Sequence, residues 1–276
     1  MDRIRLIASD MDATLLDEQS QLPADFEETI HALAELGIRF APASGRPLYT
    51  LEAMFPTLQD ELVFIGDNGG AIRWKGQNLF TSEMSPEGWR ALNRLTREQG
   101  GIAVLCGLES AYVERPFAVH DAVLRHFYTK IEYVDRLEDV AAPADKFTIY
   151  LPQHNAQQAY DTVYASQRSI YSVAVAGECW VDIMNPGVHK GAALQTLGQL
   201  WGLPSESMMA FGDTYNDAEM LQTVRYGFLM ENGSEPLRQK VPFLAPSHRE
   251  AGVMQVLHRV LAQNGCVCPE DFVPAH

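Results

Sequence analysis

Short apolar runs and helical repeats of apolar residues alternate in the first and last thirds of the chain. Residues 4–8 and 38–43 are strand-like runs, and the segment between them repeats apolar residues at helical spacing until Gly37. The alternation resumes in the last third, with a helix predicted over 190–201 and a strand over 208–211. Strands separated by helices of this length predict an α/β fold with a doubly wound, Rossmann-like parallel sheet.

The alternation of single strands and helices changes in the middle of the chain. There a predicted helix followed by two closely spaced strands occurs twice, which is typical of a separate α+β lobe. We therefore expect a core domain formed by residues 1–81 and 188–276, interrupted by an inserted α/β cap domain of residues 82–187. Residues 264–276 show no periodicity, and we expect them to form a loosely held terminus.

Length and composition are those of a globular protein with a sizeable core. The 276 residues correspond to about two domains, or to one domain with a large insertion. Apolar residues make up 46% and charged residues 21%, which excludes disordered and low-complexity classes. Four cysteines are too few for a disulfide scaffold, and neither a secretory leader nor a membrane-spanning apolar run is visible. We therefore expect a cytoplasmic protein.

The charge balance is strongly acidic. Aspartate and glutamate number 36 against 21 lysines and arginines, which gives a formal charge of −15. A field of that sign repels nucleic acid and anionic membrane surfaces, so we expect neither as a partner. It also opposes anionic small molecules, and a phosphate site in this chain therefore has to carry its own local positive charge.

Polar residues follow several predicted strands at the point where each strand ends. Asp10 and Asp12 follow the first strand, Ser44 follows the second, and Asp213 follows the strand near residue 210. Lys190 opens a helix. Because ligands of open α/β sheets bind outside the carboxyl ends of the strands, these loops are predicted to converge on one crevice.

The carboxylates are candidates for a metal site. Asp10 and Asp12 are two residues apart, and in extended backbone both side chains leave from the same side. Such like charges repel unless a cation or a shared proton lies between them. A solvated turn or a helix cap is the simpler interpretation of an isolated pair, but the apolar residues on either side indicate partial burial. Asp213 as a third carboxylate completes a set of oxygen ligands suited to Mg²⁺.

The other candidates have an ordinary interpretation beside a functional one. Lys190 lies at the positive end of its helix dipole, which indicates an anionic partner unless the side chain is simply solvated. Asn216 is predicted to cap the following helix with Glu219 as its reciprocal partner, and this role does not exclude contact with a substrate. Ser44 and Arg46 are, taken alone, common turn and surface residues.

The chain lacks the motifs of several other enzyme classes. No two of its eight histidines have the i, i+4 spacing of zinc ligands on one helix face. It contains no P-loop, no dinucleotide-binding glycine fingerprint and no nucleophile elbow of the serine hydrolases. Interpretations as a P-loop NTP-binding protein, a dinucleotide-binding protein or a serine hydrolase therefore have no support.

Four short segments contain most of the candidate residues. They are residues 10–16 (Asp-Met-Asp-Ala-Thr-Leu-Leu), residues 43–47 (Ala-Ser-Gly-Arg-Pro), Lys190 with Gly191, and residues 212–217 (Gly-Asp-Thr-Tyr-Asn-Asp). In order and spacing this set resembles the motifs of the haloacid dehalogenase superfamily of Mg²⁺-dependent phosphatases, specifically its Cof-like branch. The inserted lobe lies between the second and third segments, where this branch carries a large α/β cap.

The resemblance implies a catalytic role for each aspartate. Asp10 would be the nucleophile and form an aspartyl-phosphate intermediate. Asp12 would protonate the leaving oxygen and then activate water, as a general acid and then a base. Asp10, the backbone carbonyl of Asp12, and Asp213 would hold Mg²⁺.

The resemblance also implies which residues bind the phosphate ester. These are Ser44, Gly45, Arg46, Lys190 and Asn216. Ser44 and Lys190 would hold the transferring oxygens, which is the positioning and electrostatic task in phosphoryl transfer. Asp217, together with Asn216, would orient the metal site and Lys190.

The chain departs from the family pattern at two positions. Ala13 replaces the usual glycine of the first motif, and Thr214 replaces a serine of the fourth. If position 13 needs a positive φ, alanine is strained there; if not, the change is harmless. Thr214 retains a hydroxyl, so we expect little effect from it.

We therefore expect a Mg²⁺-dependent phosphohydrolase that acts on a small phosphorylated metabolite, such as a sugar phosphate or a phosphorylated cofactor. One alternative is a phosphotransferase or phosphomutase on the same scaffold. Another is a non-catalytic metabolite-binding or regulatory protein, although a binding protein has no need of both Asp10 and Asp12. The sequence gives no indication of the oligomeric state.

Overall fold

The computed structural model describes residues 1–276. The first stretch contains β1 (Asp2–Arg3), β2 (Leu6–Ser9), α1 (Phe26–Glu35), β3 (Arg39–Pro42), α2 (Leu48–Ala53), β4 (Val63–Gly66), β5 (Ala71–Trp74) and β6 (Gln77–Thr81). The middle stretch contains α3 (Pro86–Glu98), β7 (Ile102–Gly107), β8 (Ala111–Glu114), α4 (Asp121–Phe127), β9 (Ile131–Val134), β10 (Ala144–Tyr150), α5 (Ala156–Asp161), β11 (Ser172–Val175) and β12 (Trp180–Met184). The last stretch contains α6 (Lys190–Trp201), β13 (Met208–Gly212), α7 (Ala218–Thr223), β14 (Tyr226–Met230), α8 (Glu235–Arg238), β15 (Phe243–Ala245), α9 (Gly252–Ala262), β16 (Cys266–Val267) and β17 (Val273–Pro274). None of these helices combines the length and apolar character needed to cross a membrane.

A six-stranded sheet of order β17-β15-β14-β13-β2-β3 forms the core, which we call the core sheet. Its strands run parallel except β17. Ser9 at the end of β2 is level with Pro42 of β3 and with Phe211 of β13, so the loops after these strands leave the sheet together. A single parallel bridge between Ala43 and Ile65 adds β4 beyond β3. The predicted doubly wound parallel sheet is confirmed.

Helices cover both faces of the core sheet. On one face α1, α2 and α9 pack against the strands through residues such as Phe26, Leu51 and Leu257. On the other face α6 and α7 pack through Leu194 and Met220. Because both faces are covered, the central strands are apolar and buried along their whole length rather than alternating.

A second six-stranded sheet, which we call the cap sheet, has the order β11-β12-β10-β7-β8-β9. It is antiparallel except where β8 and β9 pair. Its own apolar cluster contains Trp89 of α3, Phe147 of β10 and Ala156 of α5. The strands of this sheet lie within residues 102–184, and the domain boundaries at residues 82 and 187 stay a prediction.

The C-terminal segment is ordered, so the expectation of a loosely held terminus over 264–276 is wrong. β16 pairs with β1 at the start of the chain, and β17 pairs with β15 at the edge of the core sheet. Between them Phe272, only 8% exposed, lies with its ring edge-on to Tyr226, Phe228 and Phe243, at centroid distances of 5.0–5.8 Å. The two strands are only two residues long, so no periodic pattern could reveal them.

The turn after β2 places Ala13 in the left-handed region, at φ 57° and ψ 14°. This answers the question that the alanine raised, because the position does need a positive φ. The side-chain amide of Asn232 donates to the carbonyl oxygen of Ala13 at 2.9 Å and so helps to hold the turn. Ala13 therefore carries a backbone cost that glycine would not.

We expect Phe272→Ala to destabilise the protein by about 3 kcal/mol, because truncating a buried phenylalanine removes apolar contacts and leaves a cavity. Urea unfolding monitored by circular dichroism measures the change. Val273→Ala is the matched control, since the neighbouring Val273 side chain is 62% exposed. Equal and small effects of both substitutions would show that the segment contributes nothing to stability.

We expect Ala13→Gly to stabilise the protein by about 0.5–1 kcal/mol, because relief of a left-handed alanine exceeds the extra entropy that glycine loses. Ala32→Gly, in the middle of α1, should instead destabilise by about 1 kcal/mol, since its backbone is helical. Thermal unfolding of the two variants should therefore shift in opposite directions. A lower melting temperature for Ala13→Gly would contradict the assignment of strain.

Candidate active site

The loops at the carboxyl ends of β2, β3, β4 and β13 face the cap sheet across a cavity of about 340 Å³. Seven of the nine predicted site residues line it: Asp10, Asp12, Ser44, Gly45, Arg46, Asp213 and Asn216. The other two, Lys190 and Asp217, are fully buried behind the cavity wall. The predicted convergence of these loops is therefore present in the structure.

Lys190 is the buried cation of the site. It is the first residue of α6, and its Nζ donates to Oδ1 of Asp10 and, at 2.7 Å, to Oδ1 of Asp217. Burial alone would lower the pKa of Lys190, but attraction to the two carboxylates outweighs burial and raises it above the usual value. Lys190 is therefore charged. Its position at the start of a helix indicated an anionic partner, and that partner consists of two aspartates of the same site.

Asp217 uses both carboxylate oxygens to hold its surroundings. While Oδ1 accepts from Lys190, Oδ2 accepts from the backbone N–H groups of Asp213 at 3.0 Å and Thr214 at 3.3 Å. The Asp217 side chain packs directly against the backbone of residue 212. This packing requires a glycine there, because a Cβ would lie 2.5 Å from the Asp217 side chain. This arrangement supports an orienting role for Asp217, and that role stays a prediction.

Three carboxylates, from Asp10, Asp213 and Asp217, lie with oxygens within 4.8 Å of one another. Burial, followed by the charge of Asp217, raises the pKa of Asp10 to about 8 and that of Asp213 to about 7. Lys190 alone therefore does not balance the negative charge of the cluster. Since both oxygens of Asp217 already accept hydrogen bonds, Asp10 and Asp213 are the carboxylates available to a divalent cation. Hard oxygen donors with excess negative charge fit Mg²⁺.

Asp12 lies apart from this cluster. Its side chain is 58% exposed at the cavity, and both carboxylate oxygens pair with the guanidinium of the buried Arg46, one of them at 3.0 Å. The pairing is bidentate, which fixes the orientation of the carboxylate as well as its position. Arg46, expected to bind substrate, thus contacts Asp12 directly. The Asp12 carboxylate is not a member of the metal cluster, which leaves only its backbone carbonyl for the predicted role as a ligand.

Ser44 lies where the loops after β3 and β4 meet. Its hydroxyl oxygen accepts from the N–H of Arg46 at 3.1 Å, and its carbonyl accepts from the N–H of Asn68 at 2.9 Å. A further bond, from the N–H of Asp67 to the carbonyl of Arg46 at 2.9 Å, ties the same two loops together. The loop of residues 44–46, which we call the phosphate-binding loop after its predicted role, is therefore held in place by the loop after β4.

The predicted cap formed by Asn216 and Glu219 is wrong. The short helical turn Tyr215–Asp217 is capped by Thr214, with Asp217 as the reciprocal partner. Asn216 instead lines the cavity, where its side-chain oxygen accepts from the Thr214 hydroxyl at 2.6 Å. Two cap candidates two residues apart compete for the same helix start, and the buried contacts of Asp217 decide between them.

Sequence reasoning identified no residue of the cap sheet, yet several line the cavity. They include Lys146, Thr148, Trp180 and Asp182, and Phe127 of α4 also lines the cavity. Lys146 and Asp182 lie in β10 and β12, whose residues are buried throughout. The sequence features that could have marked them are the single charged residue in the otherwise apolar β12 and the adjacent charged residues Asp145 and Lys146 in β10, because buried charges need partners.

Comparison with known proteins connects this geometry to a family. A family model described as haloacid dehalogenase-like hydrolase matches residues 7–257. The 5-amino-6-(5-phospho-D-ribitylamino)uracil phosphatase YbjI of Escherichia coli is 31% identical over 262 residues, which cover 94% of this chain and 96% of the relative. An HMP-PP phosphatase of Cronobacter sakazakii is also 31% identical, over 87% of this chain and 89% of its own length.

Solved structures show the same architecture. The structure of SMU.1108c from Streptococcus mutans superimposes with a TM-score of 0.85 at 28% identity, covering 94% of this chain and 99% of that one. A haloacid dehalogenase-like hydrolase from Bacteroides thetaiotaomicron has the same fold, with a TM-score of 0.81 at 22% identity over 94% of this chain and all of that one. The match along nearly the whole chain, with the predicted motifs gathered at one cavity, shows that this protein belongs to the haloacid dehalogenase-like hydrolases, in their Cof-like branch.

Proposed function

We propose that the protein is a Mg²⁺-dependent phosphatase of small phosphorylated metabolites that works through an aspartyl-phosphate intermediate. The observation that carries the proposal is the placement of Asp10, which lies at the cavity with Lys190 on one of its oxygens and Asp213 beside it. The relatives that share 31% of its residues are named phosphatases, which supports the same reaction class.

Asp10 is the nucleophile in this proposal. Its Oδ1 accepts from Lys190, whereas Oδ2 makes no hydrogen bond within the protein and is the oxygen that we assign to the attack on phosphorus. A new bond forms between Oδ2 and phosphorus while the bond to the leaving oxygen breaks. Bound Mg²⁺, held by Asp10, Asp213 and the carbonyl of Asp12, would supply the positive charge that lets an anion approach a phosphoryl group.

Asp12 acts as the general acid and then the general base. Its carboxylate lies at the cavity and remains partly exposed, so it can exchange protons with water between the two half-reactions. The pairing with Arg46 occupies both carboxylate oxygens, so Asp12 has to leave this pair and take up a proton from solvent before it can act as the acid. In the first step Asp12 protonates the leaving oxygen, and in the second it takes a proton from the water that hydrolyses the intermediate.

The cap sheet encloses the leaving group of the substrate. The cavity volume of about 340 Å³ is at the small end of the range for ligand pockets, which suits a metabolite rather than a polymer. Phe127 of α4 and Trp180 of β12, with ring centroids 5.1 Å apart, form an aromatic wall of the cavity. A sugar phosphate or a phosphorylated cofactor fits this space, and we assign the enclosing role to the inserted domain of residues 82–187.

We expect Asp10→Asn to abolish turnover, because an amide cannot form the acyl phosphate. Asp12→Asn should lower kcat by about 10²–10⁴-fold for a sugar phosphate, as is typical when a general acid is lost. Its penalty should shrink for an aryl phosphate, whose leaving group needs less protonation. Release of inorganic phosphate measures all three rates.

Equal penalties of Asp12→Asn on sugar and aryl phosphates would argue against Asp12 as the acid. Asp60→Asn is the control, since Asp60 is exposed and makes no ion pair. Formation of phosphorylated isomers in place of inorganic phosphate would identify a phosphomutase instead.

We expect EDTA to abolish phosphatase activity and added Mg²⁺ to restore it, because the carboxylates of Asp10 and Asp213 need a cation to approach an anionic substrate. Mg²⁺ should also raise the melting temperature of the wild type, since ligand binding to the native state stabilises it. Asp213→Asn should weaken that rise. Full activity in a rigorously metal-free sample would exclude the metal site.

A further inference from the structure

A second lysine is buried where the cap sheet meets the core loops. Lys146 lies in the middle of β10 and is only 2% exposed. Its Nζ donates to the carbonyl oxygen of Gly45 and lies 3.0 Å from Oδ1 of Asp67 and 3.6 Å from Oδ2 of Asp182. Burial alone would lower the pKa of Lys146, but attraction to Asp182 and Asp67 outweighs it, so the pKa is raised and the side chain is a cation.

Two of the three partners of Lys146 belong to the loops that hold the phosphate end of the cavity. Gly45 is the middle residue of the phosphate-binding loop, between Ser44 and Arg46. Asp67 lies in the loop after β4, and its N–H donates to the carbonyl of Arg46. Lys146 therefore contacts both loops at the point where they are joined to each other.

The cap side of this contact is also held in place. Asp182 accepts from the Thr148 hydroxyl at 2.7 Å within the cap sheet and from the side-chain amide of Asn68 at 3.0 Å across the junction. Asp145, the neighbour of Lys146, is buried with no hydrogen-bond partner on either carboxylate oxygen. The junction thus contains one cation and three carboxylates, two from the cap sheet and one from the loop after β4.

The contacts of Lys146 favour a role through the protein rather than on the substrate. Its Nζ donates a hydrogen bond to the carbonyl oxygen of Gly45, and the carboxylates of Asp67 and Asp182 lie at ion-pair distance. Although the side chain borders the cavity, its nearest acceptors are therefore all oxygens of the protein. We expect its effect on the reaction to pass through the residues that it holds.

We propose that Lys146 is a positioning residue, which draws the phosphate-binding loop of residues 44–46 into its working geometry when the cap sheet is docked on the core. This inference rests on the proposed phosphatase function. Because Lys146 acts at the phosphate end, it affects every substrate alike. Residues of the aromatic wall, such as Trp180, instead act on the leaving group and affect substrates unequally.

The test uses Lys146→Met, Asp67→Asn and the double variant, with Lys240→Met as a control at an exposed lysine. Lys146→Met leaves three buried carboxylates without a cation and is expected to melt at a lower temperature. Adding Asp67→Asn removes one of those negative charges and returns the junction to its original net charge. The double variant is therefore expected to recover stability but not the hydrogen bond from Lys146 to Gly45.

Three quantities are measured with Mg²⁺ present: the melting temperature, kcat for a sugar phosphate and an aryl phosphate, and the inhibition constant of inorganic phosphate. We expect Lys146→Met and the double variant to lower kcat by about 10–100-fold for both substrates, as a displacement of about 1 Å in a site can do. The inhibition constant of inorganic phosphate should rise about tenfold in both. Asp67→Asn, which retains Lys146 and an amide oxygen, should give a smaller change in the same direction.

The inference is overturned if the double variant recovers kcat along with its melting temperature, because Lys146 would then serve stability alone. Loss of activity on the sugar phosphate only would also overturn it, since that result assigns Lys146 to the leaving group. If Lys146→Met does not fold, the double variant and Asp67→Asn decide the question on the inhibition constant. A wild-type protein that releases no phosphate from any ester refutes the proposed function itself. If the wild type is active and these variants are equally active, only the role of Lys146 is refuted.

Discussion

The site depends on the balance of charge around Lys190. Parallel strands bring the loops that carry Asp10, Asp213 and Asp217 to one edge of the core sheet, and their carboxylates crowd within 4.8 Å. Burial of such a cluster without a cation is strongly unfavourable, because desolvated charges need close partners. Lys190, itself fully buried, supplies that partner from the first turn of α6. The turn that carries Asp213 is held to the same ion pair, because its backbone N–H donates to Asp217.

Close helix packing places Lys190 at the right depth. The next residue is Gly191, where a Cβ would lie 2.6 Å from the backbone of Glu219 in α7. The absence of a side chain there lets α6 approach α7, and the approach carries the ammonium group to Asp217. Sheet register provides the other half of the geometry, since Ser9 is level with Pro42 and Phe211. Ordinary packing thus fixes distances that electrostatics alone would not.

Much of this core could be predicted because its causes are local in sequence. Apolar runs predicted β2, β3 and β13, and the polar residues at their ends predicted the crevice. Asp10, Ser44 and Asp213 all line the cavity as a result. Ala13 shows where this local reasoning ends. The sequence raises the question of whether position 13 needs a positive φ, and only the backbone of the structure answers it.

The remaining contacts depend on side chains that meet across long separations. Arg46 pairs with Asp12 from 34 residues away, and Lys146 reaches Gly45 from 101 residues away. Neither contact follows from spacing or periodicity, because each depends on how two separate sheets or loops dock. The C-terminal strands escaped prediction for a different reason, as segments of two residues carry no period.

The two buried lysines therefore make separate sets of contacts beside the cavity. Lys190 binds carboxylates of the core alone, so its ion pairs with Asp10 and Asp217 do not involve the cap sheet. Lys146 comes from the cap sheet and binds the core loops at Gly45 and Asp67, so it links the two sheets at the end of the cavity that we propose binds phosphate. The aromatic wall of Phe127 and Trp180 belongs to neither ion pair. In the proposed reaction, that wall can change with the leaving group while both ion pairs stay intact, and the same chemistry can then be directed to different phosphate esters.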